Sequence, residues 1–304
     1  MLVLESFEDR EIDVAGVRIH AKVGGAGPPV LLLHGYPQTH VMWHRVAPGL
    51  ADRHAVVLAD LRGYGDSARP ASDTDHASYS KRAMADDQVG LMRELGFDRF
   101  AVVGHDRGAR VAHRLCLDHP GEVSRAAFLD IVPTRHVFTH VNRALAQAYE
   151  HWFFLIQEAD FPERLIGSDP AYYLLRKMAQ WSGGEGLEAF APEVVAEYVR
   201  CFSDPEVIRA TCEDYRSAAS IDLEHDEVDA ALGQRLECPV LVLWGAVGFV
   251  GTHYDVAGVW REYATDVRGQ RVGGGHFPAE EDPDATLSAL QDFLSDPDPT
   301  QLRM

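Results

Sequence analysis

The chain has 304 residues, 46% hydrophobic and 25% charged, a balance that excludes a disordered polymer, a collagen-like repeat and a small disulfide scaffold. Its 47 acidic and 28 basic residues give a formal net charge of −19, a poor surface for nucleic acid phosphates or anionic lipid. Neither partner is expected.

The four cysteines, Cys116, Cys201, Cys212 and Cys238, are scattered, with no Cys-x-x-Cys pair. Neither a zinc knuckle nor a redox motif is suggested, and a cytoplasmic protein with reduced thiols is expected. The first ten residues include Glu5, Glu8 and Asp9 and lack an apolar core, which argues against a signal peptide. Apolar runs such as residues 29–33 are too short to span a bilayer.

In chain order, residues 14–23 read as a hairpin or strand pair around Ala15-Gly16. Residues 30–33 form an apolar strand ending at His34-Gly35, and residues 55–59 a second ending at Asp60. Ser80 can cap a helix that runs to Gly96. Residues 100–103, 126–129 and 239–243 complete a set of five buried strands. Strands alternating with helices point to a largely parallel α/β sheet. Segment 134–232 differs: it is rich in aromatics and helix formers, with no convincing strand, and reads as an insertion between two strands.

The third buried strand runs into Gly104-His105-Asp106-Arg107-Gly108. This is a Gly-x-nucleophile-x-Gly turn with aspartate at the nucleophile position. Glycines on both sides permit a tight strand-to-helix turn. A carboxylate at the start of the following helix is held ionised by the dipole and free N–H groups. No Gly-x-Ser-x-Gly or Gly-x-Cys-x-Gly string competes with it.

Candidate partners follow in the order nucleophile, acid, histidine. Asp130 closes the run Phe128-Leu129-Asp130, at the end of a strand where open α/β sheets place their sites. The alternative acid is Asp255, because Ala246, Val247 and Gly248 after the next strand carry no carboxylate. His276 lies among glycines in Gly273-Gly274-Gly275-His276-Phe277-Pro278, exposed and mobile enough to act as a base. Arg107 and Arg110 are three apart on the helix leaving the turn, so they can share a face and bind a carboxylate.

Over nearly its whole length the chain resembles the α/β-hydrolase fold family and, within it, the fluoroacetate (haloacetate) dehalogenases. The resemblance rests on His34-Gly35-Tyr36-Pro37-Gln38, on Asp60-Leu61-Arg62-Gly63-Tyr64-Gly65-Asp66-Ser67 and on the Asp106 turn followed by Arg107 rather than Trp. It implies a mostly parallel sheet of about eight strands with helices on both faces, in a core of residues 1–133 and 233–304. It also implies a helical cap, 134–232, inserted between two strands. The implied activity is hydrolytic dehalogenation of a small anionic haloacid through an ester on Asp106, with Asp130 orienting His276. Arg107 and Arg110 would hold the substrate carboxylate. His151, Trp152 and Tyr215 would donate hydrogen bonds to the halide, and Trp181 would close on the substrate. The backbone N–H groups of Tyr36 and Arg107 would form the oxyanion hole. No metal or other cofactor is implied, and a homodimer is expected. Tyr36 stands where Phe is common, and residues 246–258 depart from the family pattern. The rival expectation is an epoxide hydrolase, which would need a second acid beside Tyr215, with Tyr172, Tyr173 and Tyr198 as candidates.

Overall fold

The computed structural model describes residues 4–184 and 186–296. Eight strands form one sheet: β1 (Glu8–Val14), β2 (Val17–Gly25), β3 (Pro29–Leu33), β4 (Ala55–Ala59), β5 (Phe100–His105), β6 (Val123–Leu129), β7 (Val240–Gly245) and β8 (Val267–Val272). Their order is β1-β2-β4-β3-β5-β6-β7-β8. β1 and β2 form an antiparallel hairpin, β2 pairs antiparallel with β4, and every pair from β4 to β8 is parallel.

Local chemistry accounts for these elements. Ala15 and Gly16 both have positive φ (51° and 87°), the backbone that a two-residue hairpin turn requires. The central strands β4 and β5 are buried along their whole length, as sheets covered on both faces demand. Ser80 caps the helix Lys81–Glu94 by accepting from the Ala83 N–H at 3.1 Å. β8, with the sequence VRGQRV, has no apolar run to betray it. It is an edge strand, largely exposed, and an edge needs no apolar face.

Between β6 and β7 the described residues form helices and no strand, from Thr134–Thr139 through Ile221–Leu232, where Gly233 closes the last helix at φ 67°. This helical insertion lies over the edge of the sheet at which β3, β5, β6 and β7 end. The His276 N–H donates to the Trp181 carbonyl at 3.0 Å, and the Tyr64 hydroxyl donates to Asp214 at 2.6 Å. No helix among the described residues is long and apolar enough to cross a membrane.

Asp60, just past β4, ties the loops together. Its fully buried carboxylate accepts from the backbone N–H groups of His40 (2.8 Å) and Asp66 (3.1 Å). The imidazoles of His20 and His40 contact it at 3.1 and 3.0 Å. These three side chains are close enough together to suggest a metal cradle. Four donors already occupy both carboxylate oxygens, however, so the arrangement reads as a hydrogen-bonded hub. Burial would lower the His20 pKa, yet the bond to Asp60 raises it to about 9, supplying the buried carboxylate with a counter-charge.

Candidate active site

β5 delivers Asp106 into a strained turn at φ 45°, ψ −113°, and the helix Arg107–Asp118 starts at the next residue. The flanking glycines are there for close approach. A Cβ at Gly108 would lie 2.4 Å from the His34 carbonyl oxygen, and one at Gly104 would lie 2.6 Å from the Ala109 nitrogen. Asp106 Oδ1 accepts from the Tyr36 backbone N–H at 2.9 Å. Its Oδ2 is 3.8 Å from His276 Nε2. Burial pushes the Asp106 pKa up, but the nearby His276, Arg110 and Arg107 outweigh it and hold the group below the usual carboxylate value.

Asp130 follows β6 at φ 52° and accepts from His276 Nδ1 at 2.7 Å and from the Gly245 N–H at 3.1 Å. The structure therefore brings Asp106, Asp130 and His276 together. Asp255 is elsewhere, capping the helix Val256–Tyr263 through the Gly258 N–H at 3.0 Å. The expectation of an exposed, mobile His276 needs correction. Its side chain is only 16% exposed, and Asp130 and the Trp181 carbonyl both hold it. His105 adds a further restraint that the sequence reading missed. Burial takes its pKa down to about 3, so the ring is neutral, and Nε2–H donates to the His276 carbonyl at 2.6 Å. Burial likewise tends to lower the His276 pKa, but Asp130 and Asp106 raise it overall.

A cavity of about 160 Å³ opens onto these groups. It is walled by Asp106, Asp130 and His276, by His151, Trp152, Trp181 and Tyr215 of the insertion, and by Val247, Phe249 and Val250 after β7. That is smaller than the about 300–1,000 Å³ of drug-sized ligand sites. His151 is neutral, because burial lowers its pKa to about 4. The Tyr215 hydroxyl is buried with no hydrogen-bond partner, and burial raises its pKa well above 10, so it keeps its proton. Trp181 packs on His151 with ring centroids 4.5 Å apart.

Arg107 and Arg110 are buried rather than on the surface, and neither is among the residues that line the cavity. The Arg107 guanidinium sits 4.2 Å over Tyr215, and that of Arg110 sits 4.6 Å over Trp152. Arg107 is committed on one edge to Asp214, while Arg110 Nη1 donates to the Val132 carbonyl and Thr134 Oγ1. Arg107 Nη1 and Arg110 Nε remain buried without partners. Tyr36 is also absent from the cavity wall. Its backbone reaches Asp106, while its ring stacks on His151 and packs edge-on to Tyr215.

Among the tyrosines suggested as a second acid, Tyr172 is exposed, and Tyr198 is tied to Gln38 and Glu280. Neither they nor Tyr173 line the cavity. Tyr149 does, and no sequence signal singled it out. The same is true of the wall at Val247–Val250, inside the stretch that departs from the family pattern.

Residues 28–283 match the model of the alpha/beta hydrolase fold family. A fluoroacetate dehalogenase from Burkholderia sp is 47% identical, over 97% of this chain and 96% of the relative. A soluble epoxide hydrolase from Corynebacterium sp. (strain C12) is 34% identical over 93% and 95%. A crystal structure from Nostoc sp PCC 7120, assigned there only to the α/β hydrolases, superposes with a TM-score of 0.94 at 55% identity, covering 97% of this chain and 100% of that one. Sequence, sheet topology and the strained Asp106 turn agree: the chain belongs to the α/β-hydrolase fold family, in the group that includes fluoroacetate dehalogenase.

Proposed function

We propose that the protein hydrolyses haloacetates to glycolate and halide through a covalent ester on Asp106. The observation that supports this reading most is the pair of buried, unpartnered donor atoms, Arg107 Nη1 and Arg110 Nε, on guanidiniums packed against Tyr215 and Trp152 of the cavity wall. A substrate carboxylate would satisfy both; a neutral epoxide would leave them unsatisfied, at a cost of about 1–3 kcal/mol each.

With the carboxylate so held, Asp106 Oδ2 attacks the α-carbon in line, and the carbon–halogen electron pair leaves with the halide. Tyr215, Trp152 and His151 replace the water around that small anion; Tyr215 keeps its hydroxyl proton and His151, neutral, offers one ring N–H. His276 then takes a proton from water, and the hydroxide adds to the Asp106 carbonyl carbon. Oδ1 carries the developing charge against the Tyr36 N–H, with the Arg107 N–H as the second donor. Collapse expels the glycolate oxygen, which takes up the proton from His276, and the regenerated Asp106 carboxyl loses its own proton to solvent. The helical insertion serves as the cap that excludes water. The expected setting is the cytoplasm, from the scattered cysteines, and the expected assembly a homodimer, as the family resemblance implies.

Parallel assays with fluoroacetate, chloroacetate and styrene oxide test the reading. Fluoride or chloride release without epoxide opening is expected. Epoxide opening without halide release would establish the second reading, which gains support from Tyr149 beside Tyr215 in the cavity. The pH profile follows from His276. Only its neutral form can accept the proton, and its pKa lies above the ordinary 6.5. Turnover should therefore rise with pH along an acid limb in a plot of kcat against pH, and Asp130, which stays charged in the ester, favours a high midpoint.

A further inference from the structure

The helix Pro205–Ala218 carries Tyr215 and, one residue earlier, Asp214, which is completely buried. The Asp214 carboxylate accepts from Arg107 Nε at 2.9 Å, from Arg107 Nη2 at 2.6 Å, from the Tyr64 hydroxyl at 2.6 Å and from Lys81 Nζ. Its backbone carbonyl takes a further bond from Arg107 Nη2 at 2.8 Å. Lys81 is also 3.7 Å from Asp222, so two cations and two carboxylates form a closed, formally neutral set. Two of the three nitrogens of the Arg107 guanidinium are thereby committed, and Nη1 alone is free.

This arrangement solves a problem built into the site. Arg107 directly follows Asp106, and an unrestrained guanidinium would find in that carboxylate its nearest counter-ion. Pairing there would block the nucleophile and withhold the cation from substrate. Asp214 holds the group away with a forked pair of charge-assisted bonds, geometry suited to a guanidinium. Tyr64, Lys81 and Arg107 belong to the core, whereas Asp214 belongs to the insertion. The free N–H is therefore fixed only while the insertion is docked, and the same helix then brings Tyr215 to the halide.

We infer that Asp214 is a positioning residue for substrate recognition: it clamps Arg107 so that Nη1 alone is offered to a carboxylate. The inference rests on the haloacetate reading, but its test is independent of turnover. Acetate serves as the carboxylate probe, by calorimetry, and chloride as the halide probe, by competitive inhibition or tryptophan quenching. In Asp214→Asn the acetate Kd should rise roughly tenfold or more while chloride binding changes less than about twofold. KM for haloacetate should rise in step, with kcat less affected. Tyr64→Phe, which removes one donor and no charge, should weaken acetate binding about two- to threefold in the same selective way.

A merely structural role would lower the melting temperature and leave the ratio of acetate to chloride affinity unchanged in both variants; that result overturns the inference. Should Asp214→Asn not fold, Tyr64→Phe decides alone, and unchanged acetate affinity there is equally fatal. If the unaltered protein binds acetate but releases no halide, the haloacetate reading fails while the clamp stands. If it dehalogenates and the variants keep their acetate affinity and KM, the clamp fails alone.

Discussion

His276→Asn incubated with chloroacetate should gain the mass of one carboxymethyl group on Asp106 and then stall, whereas Asp106→Asn should release no halide. The two outcomes follow from a division of labour visible in the carboxylate. Oδ1 is occupied by the Tyr36 N–H, and Oδ2 is left facing His276 Nε2 at 3.8 Å. Alkylation needs an ionised Oδ2 and no base; Arg110 and Arg107 still favour the charged form when the imidazole is gone, so alkylation should outlast the loss of deacylation. Hydrolysis of the ester needs a base to activate water, and asparagine is none. Turnover should fall by at least about 10³–10⁴-fold in either variant. Intact-mass spectrometry and halide release distinguish them. No adduct in His276→Asn would remove His276 from its role. In oxygen-18 water, a single turnover of the unaltered protein should put label into Asp106 before glycolate; label going directly into glycolate would exclude the ester.

A net charge of −19 opposes the approach of the anionic substrate proposed for this site. Salt screens that field beyond about 8 Å, which leaves affinity to local groups. The two arginines contribute differently. Arg107 is already paired with Asp214, so it supplies mainly direction. The side-chain and carbonyl partners of Arg110 are neutral, Thr134 Oγ1 and the Val132 carbonyl. The charged group with the largest effect on Arg110 is Asp106.

The sequence disclosed the parts of this site that local rules govern. An aspartate between glycines after an apolar strand, an acid ending the next strand and a histidine after the last each announce themselves within a few residues. The choice of Asp130 over Asp255 followed from strand ends alone, and it is Asp130 that the structure sets against His276. β8 stayed hidden because a polar edge strand has no period to detect. Asp214 stayed hidden for a different reason. Nothing in Glu213-Asp214-Tyr215 distinguishes an exposed helical aspartate from a buried one, and its role is set by Tyr64, Lys81 and Arg107, all far away in the chain. The Val247–Val250 wall likewise depends on how the segment after β7 folds back over the cavity.

The glycine at position 245, where β7 ends, sets a sharp expectation. Its N–H donates to Asp130 Oδ1 at 3.1 Å, and a Cβ at this position would lie 1.8 Å from the Gly275 carbonyl oxygen. That oxygen is backbone, one residue before His276, and no side-chain rotation can relieve the clash. Gly275 has little room to retreat, because its own α-carbon faces the Trp181 carbonyl and the Gly183 nitrogen. Gly245→Ala must therefore displace the histidine loop by an ångström or so. A misplacement of that size at a reacting group costs about 10²-fold. We expect turnover to fall by about that factor, with deacylation hit harder than alkylation, since Asp106 and the arginines stand on other strands and helices. The measurement is rapid-quench kinetics with intact-mass detection: the Asp106 ester should build up in Gly245→Ala under steady-state turnover, as it does more completely in His276→Asn. Equal slowing of both steps, or none, would show that the loop carrying His276 is not held in place by this contact.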